Sequence, residues 1–314
     1  MGVNDGDGAD VICLGEMLVD TYCLDGASGR AVALDADGLL LRCCGGAPAN
    51  FAVGVQRLGF ATRLISRVGD DAMGRFLLRR AAEEGLQTGS VRVVPGQKTG
   101  ISFISIDPNG ERTFDFYGAP SADLQIGAHD VRANLPLRGR LLHFGSNTLI
   151  LDDGLLGTKA AIDSARAQGL RVSCDLNVRL YRWDDSTRMR ERLAFAVAHA
   201  DWLKVAEEEL QFVCSLSDID AAAKDLLSRG PSLVAITSGA AGATVYDRTG
   251  AKHWHPTLAK QIVDTTGAGD AFWSGCVASL LVDETALVRA LRLGSENAAA
   301  CIAAVGATTG LLRR

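Results

Sequence analysis

Val263-Asp-Thr-Thr-Gly-Ala-Gly-Asp-Ala-Phe272 sets a Gly-x-Gly turn directly before an apolar run, with Phe272, Cys276, Val277 and Leu280 at helical spacing. Such a turn presents unpaired backbone N–H groups, and the helix start adds about half a positive charge. Together they form a cradle for an anion. Asp270 falls in or just before the first helical turn. There the positive field is expected to keep it ionised at neutral pH, ready to accept a proton from a hydroxyl. A helix-starting Asp whose glycines serve only the turn is the plainer alternative. No Gly-Lys-Ser or Gly-Lys-Thr follows, so this is no Walker A loop, and it lies too late in the chain for a Gly-x-Gly-x-x-Gly dinucleotide turn.

Working outward, apolar β-type runs alternate with amphipathic helical runs. Strands are expected at 11–14, 61–68, 141–144, 170–174, 202–205 and 233–236, and helices at 47–58, 71–84, 154–168, 186–199, 206–229, 268–281 and 284–304. This order predicts an α/β fold with a mainly parallel central sheet covered by helices on both faces. Two stretches break the rhythm. Residues 16–44 hold no convincing helix, and 98–118 alternate as strands on either side of the turn Asp107-Pro-Asn-Gly110. Without crossover helices they are expected to pair antiparallel, as a small sheet beside the main one.

Composition narrows the function. The chain has 314 residues, 47% hydrophobic and 22% charged, enough for a full core and inconsistent with dominant disorder. The net charge of −5 and a pI near 5.6 argue against a nucleic-acid binder. Any anionic ligand is therefore held locally, by backbone N–H groups, a few Arg or Lys, or a metal. None of the eight cysteines forms a Cys-x-x-Cys pair, so reduced thiols in the core are expected rather than a disulfide scaffold or zinc site. The acidic, Gly-rich start is unlike a signal peptide, and no apolar stretch reaches the roughly 18 residues of a membrane span. A cytoplasmic protein is expected.

In open parallel sheets, ligands bind beyond the carboxyl ends of the strands. The polar residues expected there are Glu16, Asp20, Ser146, Asn147, Asp175, Asn177, Arg179, Lys204, Glu207, Glu208, Glu209 and the run Thr237-Ser-Gly-Ala-Ala-Gly242. A second Gly-rich segment, Cys44-Gly-Gly-Ala-Pro-Ala-Asn-Phe-Ala52, opens a helix with Asn50 in its first turns. Alone, it reads equally well as a plain helix entry.

Taken together, the two segments resemble the paired motifs of the PfkB (ribokinase-like) carbohydrate kinases. Gly69-Asp70-Asp71 to Gly74, Gly110-Glu111-Arg112 and Thr237-Ser-Gly-Ala240 match that family in order between them, and the resemblance runs from about 11 to 306. Fructokinases are the most similar members, through Gly15-Glu16-Met-Leu-Val-Asp20, Pro120-Ser-Ala-Asp123, His143-Phe-Gly-Ser146 and the run from Lys204 to Leu210. The resemblance implies transfer of the ATP γ-phosphate to a sugar hydroxyl, most readily the 6-hydroxyl of fructose, with Mg²⁺ and with K⁺ as a further candidate. It implies an α/β core over 1–15, 45–97 and 119–314, a β lid over 16–44 and 98–118, and a homodimer joined through the lids.

Residue by residue, it implies that Asp270 is the base and that Gly267, Ala268 and Gly269 are the anion hole. Asp20, Gly45, Gly46, Asn50, Arg112 and Arg179 become sugar or acceptor-side residues. Lys204, Thr237, Ser238, Gly239, Gly242 and Asn297 fall on the nucleotide side. Glu209 is implied to organise Mg²⁺ through water, and Asp264 and Thr266 to form part of a K⁺ loop. The sequence departs from the fructokinase pattern at Leu176, at Ala206 and at Gly118-Ala119, the last removing a cation near the expected sugar pocket. A 2-keto-3-deoxygluconate kinase or another sugar kinase of the family is the neighbouring reading, and a catalytically inactive sugar or nucleotide sensor is one from a different class. Asp20 suits neutral hydroxyls and would repel an acidic sugar. The intact Asp270 and Gly-Ala-Gly turn argue against an inactive protein.

Overall fold

The computed structural model describes residues 8–106, 112–117, 120–216 and 218–314. The first half of the chain contributes β1 (Val11–Leu14), β2 (Leu18–Leu24), β3 (Ala31–Val32), β4 (Leu39–Gly45), α1 (Ala47–Arg57), β5 (Thr62–Gly69), α2 (Ala72–Glu83), β6 (Val91–Val94), β7 (Ile101–Ile106), β8 (Arg112–Tyr117), α3 (Ala128–Arg132) and β9 (Leu141–Gly145). The second half contributes α4 (Asp152–Ala167), β10 (Arg171–Asp175), α5 (Ser186–His199), β11 (Trp202–Ala206), α6 (Leu210–Val213), α7 (Ile219–Arg229), β12 (Leu233–Thr237), β13 (Ala243–Asp247), β14 (Lys252–His255), α8 (Ala268–Val282) and α9 (Leu287–Cys301).

Among the described residues, nine strands form the larger sheet in the order β14-β13-β12-β11-β10-β9-β1-β5-β6. From β12 to β6 every pairing is parallel, and β13 and β14 finish the other edge antiparallel. Strand β1 shows why such strands read as unbroken apolar runs. Val11 and Cys13 enter a core with Phe51, Trp273 and Leu280, whereas Ile12 and Leu14 enter one with Phe144, Ile162 and Leu193. Helices α1, α2, α8 and α9 supply the first core, and α3, α4, α5 and α7 the second. Aspartates start several of these helices. Asp71, Asp185 and Asp218 each accept first-turn N–H groups.

Strands β2, β3, β4, β7 and β8 form the smaller sheet. One expectation about it is corrected, because β2 and β7 pair parallel, with Asp20 opposite Ser102. Both strands start at the same edge of the larger sheet, where the Val19 N–H donates to Gly100 O at 3.0 Å, and so both run outward. The helix expected over 206–229 is also corrected. A tight turn over Glu207–Glu209 leads into α6, Ser215 takes a left-handed φ of 55°, and Asp218 starts α7 afresh. The turn at 107–110 and Gly118-Ala119 lie outside the described residues. No disulfide joins any of the eight cysteines, and Cys13, Cys174, Cys276 and Cys301 are core members. Among the described residues, no helix is long and apolar enough to cross a membrane.

Candidate active site

Parallel register aligns the carboxyl ends of β1, β9, β10, β11 and β12 on one edge, and α1 and α8 begin beside it. Asp270, in the first turn of α8, is buried, and its Oδ2 accepts the Asn50 Nδ2–H from the start of α1 at 2.9 Å. Burial pushes the Asp270 carboxyl up to about 7, and Asp175 adds to the rise. The Asn50 hydrogen bond, Lys204 and Arg179 oppose it. Desolvation thus opposes ionisation of Asp270, and the Asn50, Lys204 and Arg179 contacts favour it. A carboxyl poised near 7 still suits a general base.

Asp20, on β2, is likewise buried and pushed up to about 7, first by desolvation and then by Asp264 and Asp270, with Arg179 opposing. Gly45 ends β4 against this carboxylate, and Gly46 sits at the N-cap of α1. Arg179 is half-buried and acts on Asp20, Asp175 and Asp270 together, which places it at this cluster. The side chain of Arg112 lies outside the described residues.

The turn before α8 depends on Gly267, whose φ is 77°. A side-chain carbon there would lie 2.4 Å from Ala307 Cβ, so only glycine fits. The Ala268 N–H closes the turn on Thr265 O at 3.2 Å. The Ala268 N–H is thus committed within the turn. Lys204 is buried and paired with Asp175 at 3.1 Å, directly across the β10–β11 register. A carbon added to Gly269 would lie 2.8 Å from Lys204 Nζ, so the ammonium sits beside the anion turn. Burial would lower the Lys204 pKa, but Asp175, Glu209 and Asp270 outweigh it and raise it.

Residues 9–313 match the pfkB family carbohydrate kinase. The chain belongs to that family. It is 39% identical to a fructokinase of Klebsiella pneumoniae over 285 residues, 88% of this chain and 91% of the relative. Among solved structures, a double mutant of Vibrio cholerae fructokinase, in fructose-, ADP- and potassium-bound form, superposes with a TM-score of 0.84 at 30% identity, covering 96% of this chain and 94% of that one. A Xylella fastidiosa fructokinase with bound ATP gives 0.82 at 29% identity, covering 96% and 94%.

Within this pfkB chain, Thr237 ends β12, and Ser238, Gly239 and Gly242 form the tight turn after it, closed by the Ser238 N–H on Gly242 O at 2.8 Å. They share the site edge but lie beyond β11 from the Asp270 cluster. Asn297 is corrected. It is fully buried, and its Nδ2 donates to Ala271 O at 2.9 Å and Ser274 Oγ at 3.1 Å. Its Oδ1 accepts the Leu312 N–H at 3.0 Å. A fully buried amide bonded on both sides holds α8, α9 and the C-terminal segment together rather than meeting a nucleotide.

Glu209 turns inward. Oε2 accepts the Ala206 N–H at 2.7 Å, and Oε1 accepts the Val178 N–H. Burial raises its pKa, with Lys204 opposing and Asp175 adding. Among the described residues no group of three or more His, Cys, Asp or Glu could hold a metal ion directly, so a divalent ion beside Asp175 and Glu209 would be held through its own water. Asp264 Oδ1 accepts the Thr266 N–H at 2.9 Å and Oγ1–H at 2.6 Å, and Oδ2 accepts the Gly306 N–H at 2.9 Å, so Asp264 caps its own loop. Asp175 gained importance only in three dimensions. Its signal was its place at a strand end, but its pairing with Lys204 depends on the β10–β11 register.

Proposed function

We propose that this kinase transfers the γ-phosphate of ATP to fructose, at the 6-hydroxyl. The observation that carries the reading is the Asp270 carboxylate, held by Asn50 beside the Gly267 turn and the Lys204 ammonium. Relatives named fructokinase support the acceptor. Phosphoryl transfer asks the protein mostly for positioning and charge stabilisation. Asp20 and Asn50 accept and orient neutral sugar hydroxyls, and Asp270 takes the proton of the attacking one. Backbone N–H groups of the turn, with Lys204 and Arg179, meet the charge on the transferring phosphate. Without them, the buried carboxylates Asp20, Asp175, Glu209 and Asp270 would repel a polyphosphate. Mg²⁺, held through water by Glu209, would neutralise nucleotide charge. Asp264 and Thr266 belong to the loop proposed for K⁺, which the potassium-bound relative supports.

The smaller sheet is read as a lid over the sugar, within 16–44 and 98–118. Its outer strands expose Leu39, Leu40 and Tyr117. That apolar surface supports a homodimer through the lids, which sedimentation would show as twice 33.1 kDa. Cysteines outside any disulfide suit the cytoplasm.

The test is a phosphorylation screen across fructose, 2-keto-3-deoxygluconate, ribose and adenosine with ATP. Fructose is expected to show the highest kcat/KM. Faster turnover of 2-keto-3-deoxygluconate would overturn the acceptor and leave the kinase class intact.

A further inference from the structure

Helix α1 touches both halves of the candidate site. Near its start, Asn50 holds the Asp270 carboxylate at 2.9 Å. In its last turn, Arg57 is buried, and its guanidinium is committed on two sides. Nε and Nη2 donate to the Glu84 carboxylate at 2.8 and 2.6 Å, and Nη1 donates to Thr308 O at 2.6 Å and to Leu311 O at 3.2 Å. Those carbonyls belong to the segment after α9, which backs the anion turn. Buried Ala307 fills the space where a Gly267 side chain would start, and the neighbouring Gly306 N–H donates to Asp264. An unbroken line of contacts thus runs from Glu84 through Arg57, Thr308 and Ala307 to Gly267.

We propose that Arg57 is a positioning residue for phosphoryl transfer, holding the Gly267 turn, through the segment around Ala307, at a fixed place relative to the Asp270 carboxylate that the same helix orients. The proposal rests on the kinase reading of that turn. Arginine is needed because its planar fork serves a carboxylate and two carbonyls at once, whereas a lysine ammonium is a single point charge. A shift of about 1 Å at a reacting centre can cost about 10²-fold in rate, so a wall behind the turn matters to turnover as well as to folding. If Arg57 merely tied down the C-terminal segment, its loss would lower the melting temperature and leave kcat per folded molecule unchanged.

The experiment compares the unaltered protein with Arg57→Lys, and with Ala307→Gly, which removes the backing methyl without touching Arg57. Hydrogen exchange is read at the Ala268 and Ala271 amides, whose bonds close the turn, and kcat and KM are measured per folded molecule. Both variants are expected to exchange about tenfold faster at those amides, with β9 unchanged. Their kcat is expected to fall about tenfold or more at constant fructose KM. Ala307→Gly carries the test if Arg57→Lys does not fold. Exchange and kcat within about twofold of wild type, far inside the expected loss, would overturn the proposal. The exchange measurement needs no sugar. It judges Arg57 even if the wild type proved to phosphorylate none, an outcome that would overturn the kinase reading by itself.

Discussion

The site edge of the larger sheet and the outer strands of the smaller sheet are built from opposite material. At the edge, Asp175, Lys204, Glu209 and Asp270 are all buried, and each is held by a named partner. On the smaller sheet, β2 is buried and brings Asp20 to the same cluster, while Leu39 and Leu40 on β4 are 66% and 64% exposed. The first region has its dipoles and charges fixed before any substrate arrives, the condition for electrostatic stabilisation of a transition state. The second leaves its outer strands exposed, which supports the proposal of a cover that shifts when a ligand binds. The difference supports the proposed division of chemistry and access between the two sheets, with Asp20 at their junction.

The largest effect should come from the rigid edge. Asp270→Asn keeps the shape and a hydrogen-bonding oxygen but cannot take the proton. Its kcat should fall by about 10²–10⁴, or roughly 3–5.5 kcal/mol, with ATP affinity little changed. Steady-state kinetics beside nucleotide titration check this, and a kcat within about threefold of wild type, well below that range, would place the base elsewhere.

Lys204→Met comes next. Removing the ammonium beside the anion turn should lower kcat by about 10²-fold, as for loss of one oxyanion donor. It should also move the acid limb of the rate profile to higher pH, because Lys204 opposes the raised Asp270 pKa. An unmoved limb would detach Lys204 from the site. Stability should suffer as well, because Asp175 loses its buried partner, so rates are read on the folded fraction.

Smallest is the effect on the cover. Saturating sugar and nucleotide should slow amide exchange in β2, β4 and β7 by a few-fold, on the order of a modest change in local opening, with β9 to β11 unchanged. Equal change in both sheets, or none in the smaller one, would remove the distinction between them.

How much of this was legible beforehand follows from where the information lies. Val11-Ile-Cys-Leu14 and its counterparts show parallel strands because both their faces are buried, and the Gly267 turn before a helix is legible because backbone geometry is local. The hairpin of β13 and β14 went unread because short edge strands carry little periodicity, although Gly242 and Gly250 bracket the first of them. The break between α6 and α7 rests on one left-handed residue, Ser215. Asn297 is placed on the nucleotide side only by the family resemblance, which carries positions and not hydrogen-bond partners. Only the three-dimensional structure shows Ala271, Ser274 and Leu312 using its amide. The state of Asp270 depended on how deeply Asp175, Asn50 and Lys204 enclose it, which no spacing encodes.

The most direct test of the central claim, that a buried carboxyl on the rigid edge is the base, is the pH dependence of kcat/KM for fructose in the wild-type protein. A base must be deprotonated to work, and burial raises Asp270 to about 7. Activity should therefore fall about tenfold per unit as pH drops below that midpoint and level off above it. Asp20→Asn should move the midpoint downward, since Asp20 and Asp270 repel one another. A profile flat from about pH 5 to about pH 9, across the range where a raised carboxyl must titrate, would contradict the account.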